Sequence, residues 1–214
     1  MKRRDFILGL GLMGLAGPAL NMTSIKEKLP AEGFKLDYRV FYGGNEIGMQ
    51  SVAITEHIEG DHLVIEHDIN LQVKILFAVA YSLEHKSREI WSTDKRLISV
   101  EAETIENGDK ALVKGMHKDD GFHINGNYGE HTGLNSLVTS DSFWIASAMQ
   151  APMIMNVRTG DLAKPDITPI NENSFHLKAD FEHGAVDAKL EYEEDFLKHA
   201  EIDSDGHIVK FERV

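Results

Sequence analysis

Between His62 and Trp91 the chain alternates. Of the odd-numbered positions from Leu63 to Leu83, every one except His67 is apolar or aromatic: Leu63, Ile65, Ile69, Leu71, Val73, Ile75, Phe77, Val79, Tyr81 and Leu83. The even positions are mostly polar, among them Glu66, Asp68, Asn70, Gln72, Lys74, Ser82, Glu84, Lys86 and Arg88. A period of two is that of strands with one face on a core. The run is too long for one ordinary strand. It reads as two long strands joined by a bend at residues 75–80, where Leu76, Ala78 and Ala80 make both faces apolar. This predicts that the odd-numbered side chains line the concave side of a rolled sheet.

Similar signals flank this stretch. FKLDYRVFY, the turn Gly43-Gly44-Asn45 and EIGMQSVAITEHI form a hairpin pattern, and Glu59-Gly60-Asp61 turns into the central run. Strands are expected over 97–105, 110–117 and 122–125, with turns at Asn107-Gly108-Asp109 and Asp119-Asp120-Gly121. No proline occurs between Pro30 and Pro152, so nothing in that region forbids unbroken ladders. Residues 125–134 read as a Gly-rich loop. Ser140 or Asp141 reads as the cap of a short helix near 142–150. MIMNVRTGDL reads as a hairpin about Thr159-Gly160-Asp161, followed by a loop with Pro165 and Pro169. Strands return over 174–181, 185–195, 197–203 and 207–214. The expected fold is mainly β, a curved antiparallel sheet forming a barrel or half-barrel with that one short helix.

The 214 residues suit one β domain, 34–214, behind a leader at 1–22 and a linker at 23–33. The leader has a basic start at Lys2, Arg3 and Arg4 and an apolar segment, Ile7–Leu20, too short to span a bilayer. KRRDFI resembles a twin-arginine export signal, the alternative being a generic secretory leader. Both send the protein to the periplasm or extracytoplasmic envelope of a bacterium. Membrane contact is expected only through that leader, if it stays uncut. A net charge of −13 makes nucleic acid and anionic membrane poor partners. The absence of cysteine removes disulfides, thiol catalysis and thiolate metal sites.

The ordered pieces NEIGMQ, VKILFAVAYSLEHKSREIW, RLISVEAETIENG, LVTSDSFW and NVRTGDL resemble an uncharacterised family of exported bacterial proteins, known only as a domain of unknown function and often carrying a twin-arginine leader. The matching positions are Ile47-Gly48, Lys74, Tyr81, His85, Glu89 and Trp91, then Thr139, Ser140, Trp144, Asn156, Thr159 and Gly160. The likeness spans roughly Phe34–Val214. It departs at Glu191-Tyr192, where the family pattern has a Trp-Tyr pair. The resemblance implies a β fold and an envelope location, and supplies no activity.

Signatures of nucleophilic catalysis and of nucleotide binding are missing, and no cofactor is expected. His85, Glu89 and Trp91 share one strand face, which points inward if Leu83 and Tyr81 do. There they are an acid/base pair beside a stacking platform, or the wet end of a strand leaving the core. Lys74 reads either as a member of a cross-strand ion network with Glu84 and Arg88 or as an inward cation for an anionic headgroup. Phe143, Trp144, Met149, Met153, Ile154 and Met155 form an apolar patch that lines a cavity or simply packs. Glu201, Asp203, Asp205 and Glu212 have calcium-loop spacing, but only two residues follow Glu212, and an Asp-Gly hairpin explains the segment more simply. The eleven histidines show no metal-ligand spacing.

The leading expectation is an exported, non-enzymatic protein enclosing a hydrophobic small molecule in a barrel cavity, with Lys74, Tyr81, Trp91, Trp144 and Met153 as ligand contacts. The alternatives are a barrel-interior enzyme using His85 and Glu89, and a packed structural or interaction module.

Overall fold

In the computed structural model, residues 33–56, 62–94, 96–135, 138–204 and 206–214 are described. The expected leader, nearly all of the linker and the turn at Glu59-Gly60-Asp61 lie outside them. The strands in chain order are β1 (Phe34–Tyr42), β2 (Asn45–Glu56), β3 (His62–Ile75), β4 (Ala78–Ser92), β5 (Leu97–Glu106), β6 (Asp109–Lys118), β7 (Gly121–Gly126) and β8 (Gly129–Leu134). Next come β9 (Val138–Ser140), a 3-10 turn at Ala146–Gln150, β10 (Met153–Met155) and β11 (Leu162–Ala163). The chain ends with β12 (Asp166–Asn171), β13 (Ser174–Phe181), β14 (Gly184–Glu193), β15 (Phe196–Ser204) and β16 (His207–Arg213).

Among the described residues, thirteen of these strands form one antiparallel sheet in the order β12-β13-β14-β15-β16-β1-β2-β3-β4-β5-β6-β7-β8. Every neighbour is a hairpin partner except at one joint, where β16 pairs with β1 through Val40↔Phe211. A second layer has β10 between β9, parallel to it, and β11, antiparallel. Turn chemistry accounts for much of the meander. Gly43-Gly44 and Asn107-Gly108 fill two-residue loops with positive φ at both positions, which these residues adopt readily.

The alternation places side chains as anticipated over most of β3 and β4. Leu63, Ile65, His67 and Leu71 on β3 are buried, as are Leu83, His85, Ser87, Glu89 and Trp91 on β4, while Glu66, Asp68, Glu84, Lys86 and Arg88 are exposed. The expectation fails at the junction. Ile75, Phe77 and Val79 are exposed because β3 loses its β2 neighbour after Leu71, and β4 gains its β5 neighbour only at Leu83.

Four further expectations are corrected. Of the expected barrel or half-barrel, the closed form is ruled out: β8 and β12 remain edges. Pro169 has no N–H to offer a neighbour beyond β12, and the β9–β11 layer packs its own side chains into the shared core. No short α-helix forms near 142–150, only the 3-10 turn. Ser140 and Asp141, the anticipated caps, are engaged elsewhere, Ser140 with Glu89 and Asp141 with the Val157 N–H. Residues 125–134 are the β7–β8 hairpin rather than a loop. The proline-containing loop includes β12, an edge position that tolerates Pro169.

One apolar core links the sheet to this second layer. Trp144 meets Trp91 edge-to-face at 5.7 Å, and each is 1% exposed. The Tyr192 hydroxyl donates to the Phe143 carbonyl at 3.1 Å, and the Tyr38 hydroxyl to the Leu197 carbonyl at 2.8 Å. The Tyr192 bond pins the second layer to the sheet, and the Tyr38 bond ties β1 to β15 within the sheet.

Candidate functional site: a buried polar cluster

Because β4 alternates, three successive inward positions carry His85, Ser87 and Glu89 into an otherwise apolar core. Register supplies their neighbours. His67 on β3 stands opposite Ser87, and Thr104 on β5 stands opposite His85. Thr139 and Ser140 of β9 are buried as well, and Ser140 reaches Glu89.

Glu89 is the centre. Its Oε2 accepts from Trp91 Nε1 at 2.7 Å and from Ser140 Oγ at 3.0 Å, with Ser142 Oγ at the limit of 3.5 Å. The two serine hydroxyls lie 2.6 Å apart. Glu89 Oε1 has no partner and faces His67 Nε2, also without one, across 3.8 Å. That separation is too long for a direct hydrogen bond. Burial pushes the Glu89 carboxyl up to about 7, against the pull of the Trp91, Ser140 and Ser142 donors. Burial, helped by His85, pulls His67 down to about 3. His67 is therefore neutral near pH 7, and its contact with Glu89 is not an ion pair. His85, pulled down to about 4 by burial and then by Arg158, lies 2.8 Å from Thr104 Oγ1 through its Nδ1. Among the described residues, Ser87 Oγ, Thr139 Oγ1 and Trp144 Nε1 are the other buried side-chain atoms lacking a partner. Chemically, the cluster is a carboxyl that can take or release a proton near neutrality, beside an imidazole that stays neutral.

Of the sequence-named residues, the structure brings Glu89, Trp91 and Trp144 together, with His85 further along the same inward face, and leaves Lys74, Tyr81 and Met153 apart from them. Lys74 is exposed on the projecting end of β3. Tyr81 is half-buried, its phenol pushed up to about 12 by burial and then by Glu106. Met153 packs half-buried on the core with Phe143, Met149, Ile154 and Met155. His85 and Glu89 share a face, but the histidine near Glu89 is His67. Lys86 pairs with Asp68 and Arg88 with Glu66, in place of the expected Lys74–Glu84–Arg88 network. The reading of 140–142 as a helix cap missed Ser140 and Ser142. His67 carried a usable signal as the only polar residue in the odd series.

The calcium-like spacing resolves into the β15–β16 hairpin. Glu201 accepts from Lys210 at 2.6 Å, and Asp203 takes the Gly206 N–H at 2.8 Å. Glu212 stands opposite His199 in the ladder, and Asp205 lies outside the described residues. Among the described residues, no three His, Asp or Glu side chains gather to hold a cation. The Asn156–Asp161 motif is a turn. Asn156 Oδ1 accepts the N–H groups of Arg158 and Thr159, and Gly126 lies so close that an added Cβ would stand 2.5 Å from the Thr159 carbonyl. Beside it His183 stacks on Tyr128 at 3.7 Å and meets Asp161 at 3.2 Å. Two open surface clefts, of about 340 and 430 Å³, lie elsewhere, one beside Phe34, Phe196 and Arg213, the other beside Asn173, Ser174 and Lys198.

The family model described as a domain of unknown function (DUF6134) matches residues 38–214, which hold every strand named above except the start of β1. The chain belongs to this family. That agrees with the likeness carried by the sequence pieces, while the leader lies outside the matched segment. No curated protein matches the chain. Among solved structures, the chain is similar to a beta-barrel-like protein of the domain of unknown function DUF1849 from Brucella abortus, with TM-score 0.52 and 8% identity, over 87% of this chain and 97% of that one. At that identity the likeness concerns the fold alone.

Proposed function

We propose that the chain is exported to the bacterial cell envelope and works there as a packed, non-catalytic interaction module. One observation carries this reading over the alternative of a carrier of a hydrophobic small molecule. The space such a ligand would need, against the inward face of β3–β5, is taken by the chain's own second layer, with Trp144 wedged on Trp91 and Ser140 on Glu89. Interiors pack to near-crystalline density, so a ligand would have to displace that layer. Native mass spectrometry of protein isolated from the envelope tests it. The expected mass is that of the polypeptide alone; a stoichiometric lipid retained in the spectrum would overturn the reading in favour of the carrier.

An enzymatic role has a specific observation of its own. Glu89, raised to about 7, faces an unpaired His67 nitrogen, and the half-buried Ser142 leads from the cluster toward solvent. Carboxyls tuned toward neutrality are found at acid/base sites. This reading expects Glu89→Gln to fold and lose a cellular phenotype, whereas the packed-module reading expects Glu89→Gln to fold and keep it.

A further inference from the structure

The end of the β3–β4 hairpin projects beyond the sheet. Its last ladder partners are Gly48 for Leu71 and Glu106 for Leu83, and Asn107 still holds the Ser82 N–H and carbonyl; beyond that the strands pair only with each other, through Lys74↔Val79 and Ile75↔Ala78. At roughly 3.4 Å per residue, the four residues from Leu71 to Ile75 carry the turn about 14 Å outward. The tip is apolar throughout, Ile75-Leu76-Phe77-Ala78-Val79-Ala80. Ile75 is 60% exposed, Leu76 89%, Phe77 103% and Val79 52%. The other exposed large apolar residues are dispersed, such as Met49 on β2, Leu112 and Met116 on β6 and Ile170 on β12. Scattered apolar residues need no explanation, but four on one projection do.

The turn itself is a poor choice on backbone grounds. Leu76 and Phe77 occupy a two-residue loop with φ of 47° and 73°, a conformation suited to Asn and Gly. Gly43-Gly44 and Asn107-Gly108 meet the same demand in this chain with permissive residues. Strain kept at an exposed tip points to a use for its side chains.

We propose that this tip inserts into the interfacial layer of a lipid bilayer, a contact beyond the packed-module reading and independent of it. A convex projection fits a deformable surface and offers no groove. A stable protein contact takes about 800 Å² and some 20–30 residues per side, far more than four side chains supply. The charge pattern also selects the occupant. The chain carries −13 overall, Lys74 is the one cation between Gln72 and Glu84, and at the ribbon's base Arg158 beside Tyr81 is outnumbered by Glu84 and Glu106. Attraction to anionic headgroups is therefore weak, and apolar insertion supplies the drive, with Lys74 one residue behind Ile75 and placed to reach phosphate oxygens. Insertion stays shallow, because beyond Leu71 and Ser82 neither arm has a neighbouring strand to meet its outward peptide groups, which hydrocarbon would not satisfy.

The test is co-sedimentation of the full chain with phosphatidylcholine vesicles, and with the same vesicles doped with phosphatidylglycerol. The wild type is expected to sediment with both to a similar extent. Leu76→Asp with Phe77→Asp is expected to lower partitioning at least about ten-fold, given what one buried large apolar side chain is worth. Leu112→Asp, a control on β6 at an exposed apolar residue away from the tip, is expected to leave it unchanged. A wild type that stays in solution, a double variant that sediments normally, or a control that loses binding equally would each overturn the proposal. So would sedimentation equilibrium showing a wild-type dimer that the double variant abolishes, since the tip's occupant would then be a second copy.

Discussion

His67 Nε2 and Glu89 Oε1 face one another 3.8 Å apart in the core, and neither has another partner. Each sits on an inward strand position, and burial moves their proton affinities in opposite directions, Glu89 up to about 7 and His67 down to about 3. A neutral pair is what the core can hold at low cost, and its pH dependence follows.

Glu89 ionises less readily folded than unfolded. As pH rises from its ordinary 4.5 toward 7, the unfolded chain releases the proton first, so this group's contribution to stability is lost across that window and stays lost above it. Glu89→Gln keeps the shape and removes the ionisation. Denaturant unfolding is expected to show the variant more stable than the wild type at pH 8, by about 1–3 kcal/mol, with the gain vanishing near pH 5. A constant difference across that range would show that Glu89 does not titrate in the folded core.

His67 and His85 act with the opposite sign. Both are held below their ordinary 6.5, so the unfolded chain takes up protons first as pH falls, and stability is lost from about pH 6.5 toward 4 and below. In Glu89→Gln, where no carboxyl offsets them, acid unfolding monitored by circular dichroism is expected to fall more steeply between pH 6.5 and 4.5 than in the wild type.

The tip turn gives a stability change without any core contact. Replacing Leu76-Phe77 by Asn-Gly supplies residues that accept positive φ at both positions. A gain of about 1–2 kcal/mol in unfolding free energy is expected, read as a raised denaturation midpoint. An unchanged or lowered midpoint would show that the tip carries no backbone strain.

The Asn156–Asp161 turn packs too closely on β7 for a methyl group. Gly126→Ala would set a Cβ 2.5 Å from the Thr159 carbonyl, so a loss of about 1–3 kcal/mol is expected by the same measurement.

How far these features were legible in the sequence depended on range. Strands with neighbours adjacent in sequence were readable: FKLDYRVFY and SFHLKADF coincide with β1 and β13, because alternation and flanking turns are local signals. Alternation also put His85, Glu89 and Trp91 on one face, which the structure turns inward. It failed at Phe77, since the period of two says which residues share a face but not where the neighbouring strand stops. The pairing of β16 with β1 and the β9–β11 layer depend on contacts between distant segments, for which the chain offers no local mark. Ser140 and Ser142 were misread for the same reason. A hydroxyl near a turn resembles a helix cap until the carboxylate fifty-one residues earlier is known to lie beneath it.

The chain's own second layer fills the inward face of the sheet. The two tryptophans, Trp91 and Trp144, are the only ones in the protein, and both lie at that contact, 1% exposed. Acrylamide quenching of tryptophan emission therefore reads the contact directly. The account expects blue-shifted emission and almost no quenching in the folded protein at pH 7. A red-shifted component that acrylamide quenches freely would show an open interior and contradict it.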